Sequence, residues 1–368
     1  MHSPLKSKIS KKGTDPAAHF RKFMLKWYAG NRRSYPWVGE KDPYKVWLSE
    51  IILQQTRTDQ GLPYYERILA RYPSVDALAG APEQEVFRLW QGLGYYNRCK
   101  NMLAAARIIT ADYKGQFPDT YEEILALPGV GPYTAAAIAS FAFDLPYAVV
   151  DGNVERLFAR YFGIAEAVNT TKGKKRMQTL ATALLLEQEP ASYNQAVMDF
   201  GATVCRPKMP LCTDCPFQIH CVALREGRIA TLPVKKPKRP VKQRFLHYYV
   251  FQHEHRLFVQ KRPDRGIWQN LHEFLLWESP REESEKQLLK TTAFRAAVSH
   301  NKVLDVRYSP LYRHQLTHQM LHIRFLAIRL QSPPRLPEGF FPLQPSEVDD
   351  FAFPRPLVRY LASLRANG

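Results

Sequence analysis

The sequence predicts an all-α domain followed by a smaller α+β domain, and three observations carry that prediction. Apolar residues recur at intervals of three and four from about residue 16 to 230. A basic, proline-rich stretch without an acid, "PVKKPKRPVKQR", follows at 233–244. Beyond it the apolar period changes to two. At 368 residues the chain is long enough for two independent cores. The expected organisation is a basic tail over 1–15, a helical domain over 16–232, a linker over 233–244 and a second domain over 245–368.

Composition narrows the partners before any motif does. The formal net charge is +18, a surplus that suits a polyanion and above all nucleic acid. Lys6, Lys8, Lys11 and Lys12 form a basic tail, but cations also run through the body of the chain. The longest apolar runs, such as "TAAAIASFAF", fall short of the roughly 20 residues a membrane helix needs. "MHSPLKSKISKKG" has no apolar core of the kind a signal peptide carries. The expectation is a cytoplasmic, nucleoid-associated monomer without a membrane segment.

In the helical domain, Pro/Gly turns such as "RYPSV", "QGLGYY" and "GQFPDT" separate the helices. One helix is predicted across "PYKVWLSEIILQQTRTDQ", with an apolar stripe of Tyr44, Trp47, Leu48, Ile51 and Ile52. Glu50 falls at the edge of that stripe. Partial desolvation there would raise its pKa toward neutrality, as a general acid requires, although a surface glutamate bordering a core face would look the same. Further on, "PDTYEEILALPGVGPYTAAAIASF" reads as two helices: Thr120 and Glu123 suit a capping box, and Pro132 suits a first turn. Between them Gly129 and Gly131 permit a tight turn and leave bare amides at a helix N-terminus, an arrangement suited to a DNA phosphate.

Four of the five cysteines, Cys205, Cys212, Cys215 and Cys221, lie within seventeen residues. In a cytoplasmic chain such a cluster reads as a four-thiolate metal site, and the spacing leaves zinc and an iron-sulfur cluster both open. Cys99 stands apart as a packed or surface thiol. In the second domain "RFLHYYVFQ" and "RLFVQKR" flank a polar "HEH" as a hairpin, and "HIRFLAIRL" alternates as a further strand. One helix is predicted across "REESEKQLLKTTAFRAAV" and another across "PRPLVRYLASL".

The glycine hairpin and the cysteine loop together resemble the helix-hairpin-helix DNA glycosylases with an iron-sulfur loop, over roughly residues 16–230. Within that superfamily "WLSEIILQQT", "GLGYYNR", "LPGVGPYTA" and "DGNV" resemble the MutY-type adenine DNA glycosylases. The resemblance implies a [4Fe-4S] cluster on Cys205, Cys212, Cys215 and Cys221, serving structure and DNA positioning. It implies that Glu50 protonates adenine on the ring nitrogen facing away from the sugar. Asp151, in "YAVVDGNVERLFAR", would support the positive charge developing on the sugar, while Asn153 and Tyr133 arrange sugar, leaving group and water. Glycosylase-lyases of the endonuclease III type carry a lysine where this chain has Tyr133, so a strand-cutting lyase is disfavoured. Gln55 and Tyr95 would intrude beside the flipped adenine, with Thr56 and Leu93 touching the opposite base. The implied substrate is double-stranded DNA with adenine opposite 8-oxoguanine or guanine.

"KRPDRGIWQNLHEF" resembles the opening of a Nudix-like domain. "REESEK" lacks the spaced glycines and consecutive glutamates that would hold magnesium, so recognition is expected rather than pyrophosphate hydrolysis. Where the family has a Phe-Ser-His turn, "RHQLTHQ" places Leu316, Thr317 and His318 and departs at two positions. The rivals are an endonuclease III-type glycosylase-lyase, a noncatalytic iron-sulfur DNA-binding protein and a nucleotide hydrolase.

Overall fold

The computed structural model describes residues 16–237, 240–263, 265–299 and 301–366. The basic tail expected at 1–15 lies outside them. Helices α1 (Pro16–Ala29), α2 (Pro43–Leu53), α3 (Thr58–Arg71), α4 (Val75–Ala79), α5 (Glu83–Trp90) and α6 (Asn97–Asp112) come first. They are followed by α7 (Tyr121–Ala126), α8 (Pro132–Phe143), α9 (Gly152–Tyr161), α10 (Thr171–Leu184), α11 (Pro190–Thr203) and the single turn α12 (Val222–Arg225). Then come β1 (Lys242–His253), β2 (Arg256–Lys261), β3 (His272–Glu273), β4 (Leu275–Ser279), α13 (Glu285–Leu288) and α14 (Thr292–Val298). The chain closes with β5 (Val303–Tyr308), β6 (Tyr312–Gln315), β7 (Gln319–Leu330), β8 (Phe340–Leu343) and α15 (Arg355–Ala366). Among the described residues no helix is long and apolar enough to cross a membrane.

The chain divides into two compact units. The first holds the described residues through Arg57, Ser74–Asp76 and Ala104–Pro237; the second holds Thr58–Pro73, Ala77–Leu103 and the described residues after Pro237. In the first unit, the aromatic residues of α1, α9, α11 and the cysteine loop interlock. Phe20, Phe158, Tyr161, Phe200 and Phe217 are fully or almost fully buried, and Phe20 stacks on Phe217 with centroids 5.0 Å apart. Burial of each such ring contributes roughly 1.5–3 kcal/mol. Helix α2 packs on α8, its Trp47 ring also meeting Phe117 at 5.8 Å.

In the second unit an eight-stranded sheet runs β3-β2-β1-β7-β5, with β4 beside β1, β6 beside β7 and β8 beside β2. β1 and β7 are parallel, from Lys242 opposite Gln319 to Gln252 opposite Arg329; the other pairs are antiparallel. The period of two sends Tyr248 and Val250 into one core, with Phe325, Leu357 and Tyr360. It sends Tyr249 and Phe251 into another, with Leu326, Ile328 and Phe294.

Three expectations about elements are corrected. The helix predicted across residues 43–60 stops at Leu53, and α3 starts only at Thr58. In the gap Gln55 adopts a left-handed φ of 56°, and the Gln54 amide turns to donate to Thr134 Oγ1 at 3.2 Å. The single helix expected across "REESEKQLLKTTAFRAAV" is two. The Leu288 carbonyl accepts from the hydroxyls of Tyr249 (2.9 Å) and Thr291 (2.9 Å), and Thr291 caps α14 by accepting from the Phe294 N–H at 3.2 Å. Finally β1 begins at Lys242, inside the basic proline-rich stretch. The hairpin after β1 forms as expected, with Glu254 and His255 at φ 46° and 64°.

Candidate active site

Three helix ends and faces in the first unit bring together Glu50, Tyr133 and Asp151. Every residue of α2 from Val46 to Ile52 is buried, including Glu50 at 8% exposure. Burial pushes the Glu50 carboxyl up to about 7; the Tyr133 hydroxyl donates to it and opposes the shift, while repulsion from Asp151 adds to it. Tyr133 stands on the first turn of α8, where Pro132 at N1 and Gly131 at the N-cap end the hairpin. Its phenol is held well above its ordinary range by burial and then by the two carboxylates.

Asp151 is the N-cap of α9. One carboxylate oxygen accepts from the backbone of Asn153 (2.9 Å) and Val154 (2.8 Å), and the other accepts from Asn153 Nδ2 (2.6 Å). Burial raises its pKa; these donors and the positive end of α9 act the other way and favour the anion. The two carboxyls therefore interact electrostatically but do not share an environment. One has a phenol and apolar walls, the other a set of donors.

Arg156, which sequence reasoning missed, fixes the orientation of Asn153. Its guanidinium is 7% exposed and donates to Asn153 Oδ1 at 2.8 Å, Gly201 O at 2.5 Å, Gly152 O at 3.2 Å and Cys205 O at 2.7 Å. Asn153 thus accepts from the arginine while donating to Asp151, which assigns both ends of its amide. At Gly201, α11 passes so close that a Cβ would stand 2.7 Å from the Asn153 carbonyl oxygen. The one available signal was the spacing of Arg156, three residues beyond Asn153 on a helix.

The hairpin forms with its expected turn, but the capping box is only half made: the Glu123 N–H donates to Thr120 Oγ1 at 3.4 Å, while the Glu123 carboxylate accepts from the Thr120 hydroxyl at 2.7 Å instead of from the Thr120 backbone. Thr120 caps α7, Gly129 has a φ of 78°, and Gln54 reaches both Gly129 O (3.5 Å) and Thr134 Oγ1 (3.2 Å). Of the residues expected beside the flipped base, Gln55 lies in the α2–α3 gap, where the Thr56 N–H donates to Leu53 O at 3.1 Å. Leu93 and Tyr95 belong to the second unit, where Leu93 is buried and Tyr95 is 47% exposed. Tyr95 has a left-handed φ of 51°, and the Arg98 guanidinium lies over its ring at 5.5 Å. Gln55 and Tyr95 are both non-glycine residues in a conformation that costs of order 1 kcal/mol, as happens at working sites.

In the same unit the turn between β6 and β7 is closed by Leu316 N–H donating to Gln319 O at 2.8 Å. Leu316 packs against the core; Thr317 and His318 are exposed. The Tyr95 and Thr317 hydroxyls are 3.4 Å apart.

The cysteine loop borders a small, partly open apolar cavity of about 30 Å³, lined by Cys205, Cys215, Cys221, Leu157, Phe200 and Phe217 among others. Burial pushes Cys215 up to about 11 and raises Cys212 and Cys221, with the neighbouring thiols adding to each shift. Arg160, 3% exposed, donates to Cys205 Sγ at 3.6 Å, Arg206 O at 2.7 Å and Pro207 O at 3.2 Å. Among the described residues, no three His, Cys, Asp or Glu side chains stand close enough to share one ion. Cys99 is fully buried elsewhere.

Comparison with known proteins bears on the family and the fold. Residues 48–183 match the HhH-GPD superfamily of base excision DNA repair proteins, and residues 247–363 match the NUDIX domain. The adenine DNA glycosylase of Buchnera aphidicola (subsp. Acyrthosiphon pisum) is 32% identical over 356 residues, 95% of this chain and 98% of that protein. The Mus musculus adenine DNA glycosylase is 40% identical over 226 residues, 58% of this chain and 44% of its own. Among solved structures, a thermostable thymine-DNA glycosylase aligns with a TM-score of 0.54 and 30% identity, over 57% of this chain and 97% of that one. An endonuclease III–DNA complex, at 21% identity and a TM-score of 0.50 over 57% of this chain and 95% of that one, shares the fold. The chain belongs to the adenine DNA glycosylase family.

Proposed function

We propose that the protein is a monofunctional glycosylase that removes adenine from duplex DNA where it faces 8-oxoguanine or guanine. The observation that carries the reading is the pairing of Glu50, buried and poised near neutrality, with Asp151, whose anion is supported at a helix N-cap. Glycosidic cleavage uses two carboxyls with divided protonation in this way. The Glu50 proton goes to the adenine ring nitrogen facing away from the sugar. The C1′–N9 electron pair then leaves with the purine, and the Asp151 carboxylate supports the cationic sugar. Water adds at C1′, and its proton passes to the ionised Glu50, restoring the acid. Tyr133 holds Glu50 in place and offers no amine to attack the sugar, so the strand stays intact beside an abasic site. The neighbouring Tyr95 and Thr317 hydroxyls support a role for the 316–318 turn in reading the base opposite.

The cysteines fit a [4Fe-4S] cluster. Cys205, Cys215 and Cys221 line one apolar cavity and Cys212 lies within electrostatic reach of Cys215, a spread of thiols that suits a bulky cluster, whereas a zinc ion needs its four sulfurs all about 2.3 Å from one point. The group would supply a covalent staple for the loop, and Arg156 and Arg160 carry the loop's position to α9.

The test is an end-labelled duplex carrying adenine opposite 8-oxoguanine, analysed before and after alkali. Cleavage at the adenine only after alkali is the expected result. Strand cuts without alkali, or binding with no product at all, would overturn the reading.

A further inference from the structure

A second cluster of ionisable side chains lies in the second unit, away from both carboxyls. Tyr312 and His314 are two apart on β6 and share a face of the strand. Arg355 and Arg359 are four apart on α15 and share a face of the helix. The elements meet: the Arg359 guanidinium lies 5.9 Å from the Tyr312 ring centre, and the Trp268 ring is centred 6.0 Å from that of His314. Trp268 adopts a left-handed φ of 58°, a conformation an aromatic residue seldom takes without a reason.

The electrostatics of this cluster are one-sided. Burial and then repulsion from Arg355 and Arg359 hold the His314 imidazole below its ordinary range, which puts both guanidiniums within electrostatic reach of the ring. Among the described residues neither arginine is paired with a carboxylate. Arg355 also opens α15, whose first turn carries no acid, so it opposes the positive end of the helix. Like charges held together in this way are unfavourable in the free protein, and a bound anion relieves all of them at once.

We propose that His314, Arg355 and Arg359 form a phosphate site, walled by Trp268 and Tyr312, that takes a backbone phosphate of the DNA strand whose base lies at the 316–318 turn. The geometry is suited to it. β6 runs directly into that turn, and His314 precedes Thr317 by three residues, at most about 10 Å at the rise of a strand. Guanidinium forks match phosphate oxygens, and the aromatic walls suit a sugar. The assignment of the strand rests on the function proposed above; the phosphate site itself does not.

The experiment measures anisotropy of the full chain on two duplexes over a range of KCl concentrations, one undamaged and one with 8-oxoguanine opposite a non-excisable adenine analogue. For Arg355→Gln/Arg359→Gln, the slope of log affinity against log salt should shrink in magnitude by about 1, with the same fractional loss on both duplexes. The Arg355→Lys/Arg359→Lys pair should restore the slope, and single Arg355→Gln covers the case of a double variant that melts early. An unchanged slope in a variant that melts like the wild type overturns the site. So does a loss confined to the lesion duplex, and so does binding of a nucleoside diphosphate that the variant loses while its DNA slope stays intact. A wild type that binds both duplexes alike and leaves adenine in place on the end-labelled duplex opposite 8-oxoguanine would instead sink the proposed function, leaving the slope on undamaged DNA to judge the phosphate site.

Discussion

Asp151 and Thr317 are both polar groups that the proposed function sets against DNA, and they are held very differently. Asp151 sits at a helix N-cap under three donors at 2.6–2.9 Å, and its partner Asn153 is itself gripped by a buried arginine. Thr317 is exposed on a turn and meets Tyr95 at 3.4 Å. Bond making tolerates little displacement of a charge, whereas recognition of a partner base can complete itself when the base arrives. The difference predicts that damage to the pocket acts on rate, and damage to the turn acts on preference.

The largest effect should come from Glu50→Gln. Loss of a general acid lowers single-turnover excision by roughly 10²–10⁴-fold while mismatch binding persists; equal losses of binding and rate would erase the contrast between pocket and turn. The same variant should melt higher than the wild type at pH 8 and alike at pH 4. The Glu50 pKa is raised from 4.5 to about 7 in the fold, so the wild type loses stability as pH rises between those values, by up to about 3 kcal/mol. Next, wild-type excision should fall as pH rises through about 7, when the proton on Glu50 is lost. A flat profile from pH 6 to 9 would place the acid elsewhere.

Arg156→Lys should cost roughly tenfold or more in excision, because one ammonium cannot replace donors to Asn153, Gly201 and Cys205. If the turnover rate is kept and affinity alone drops, the relay from loop to carboxylate is without effect. The smallest effect belongs to Thr317→Ala, a few-fold drop in preference for 8-oxoguanine over guanine, as one neutral hydrogen bond warrants. A large fall in excision rate at both mismatches would show that turn and pocket are not separable.

What was legible in the sequence follows from how local its causes are. The buried face of α2, the capped hairpin and the change of period after the linker are set by neighbours three, four or two residues apart. Glu50, Tyr133 and Asp151 could be named because each sits at a stripe edge or helix end and the motifs around them resemble a family. The end of α2 at Leu53 was not legible, because the amide beyond it is drawn to Thr134, eighty residues away. The gap between α13 and α14 depends on the Tyr249 hydroxyl of a distant strand taking the Leu288 carbonyl. Arg156 escaped notice for the same reason: its partners Gly201 and Cys205 lie 45 and 49 residues downstream.

Gly201 carries no side chain, yet it sets the floor beneath Asn153. One added methyl group there would press on the carbonyl oxygen at 2.7 Å and on the Asn153 Cβ at 2.9 Å. A Gly201→Ala substitution would therefore have to displace the residue that steadies the Asp151 carboxylate. An apparently conservative change at this buried glycine would thus act on the Asp151 pocket and not on packing alone.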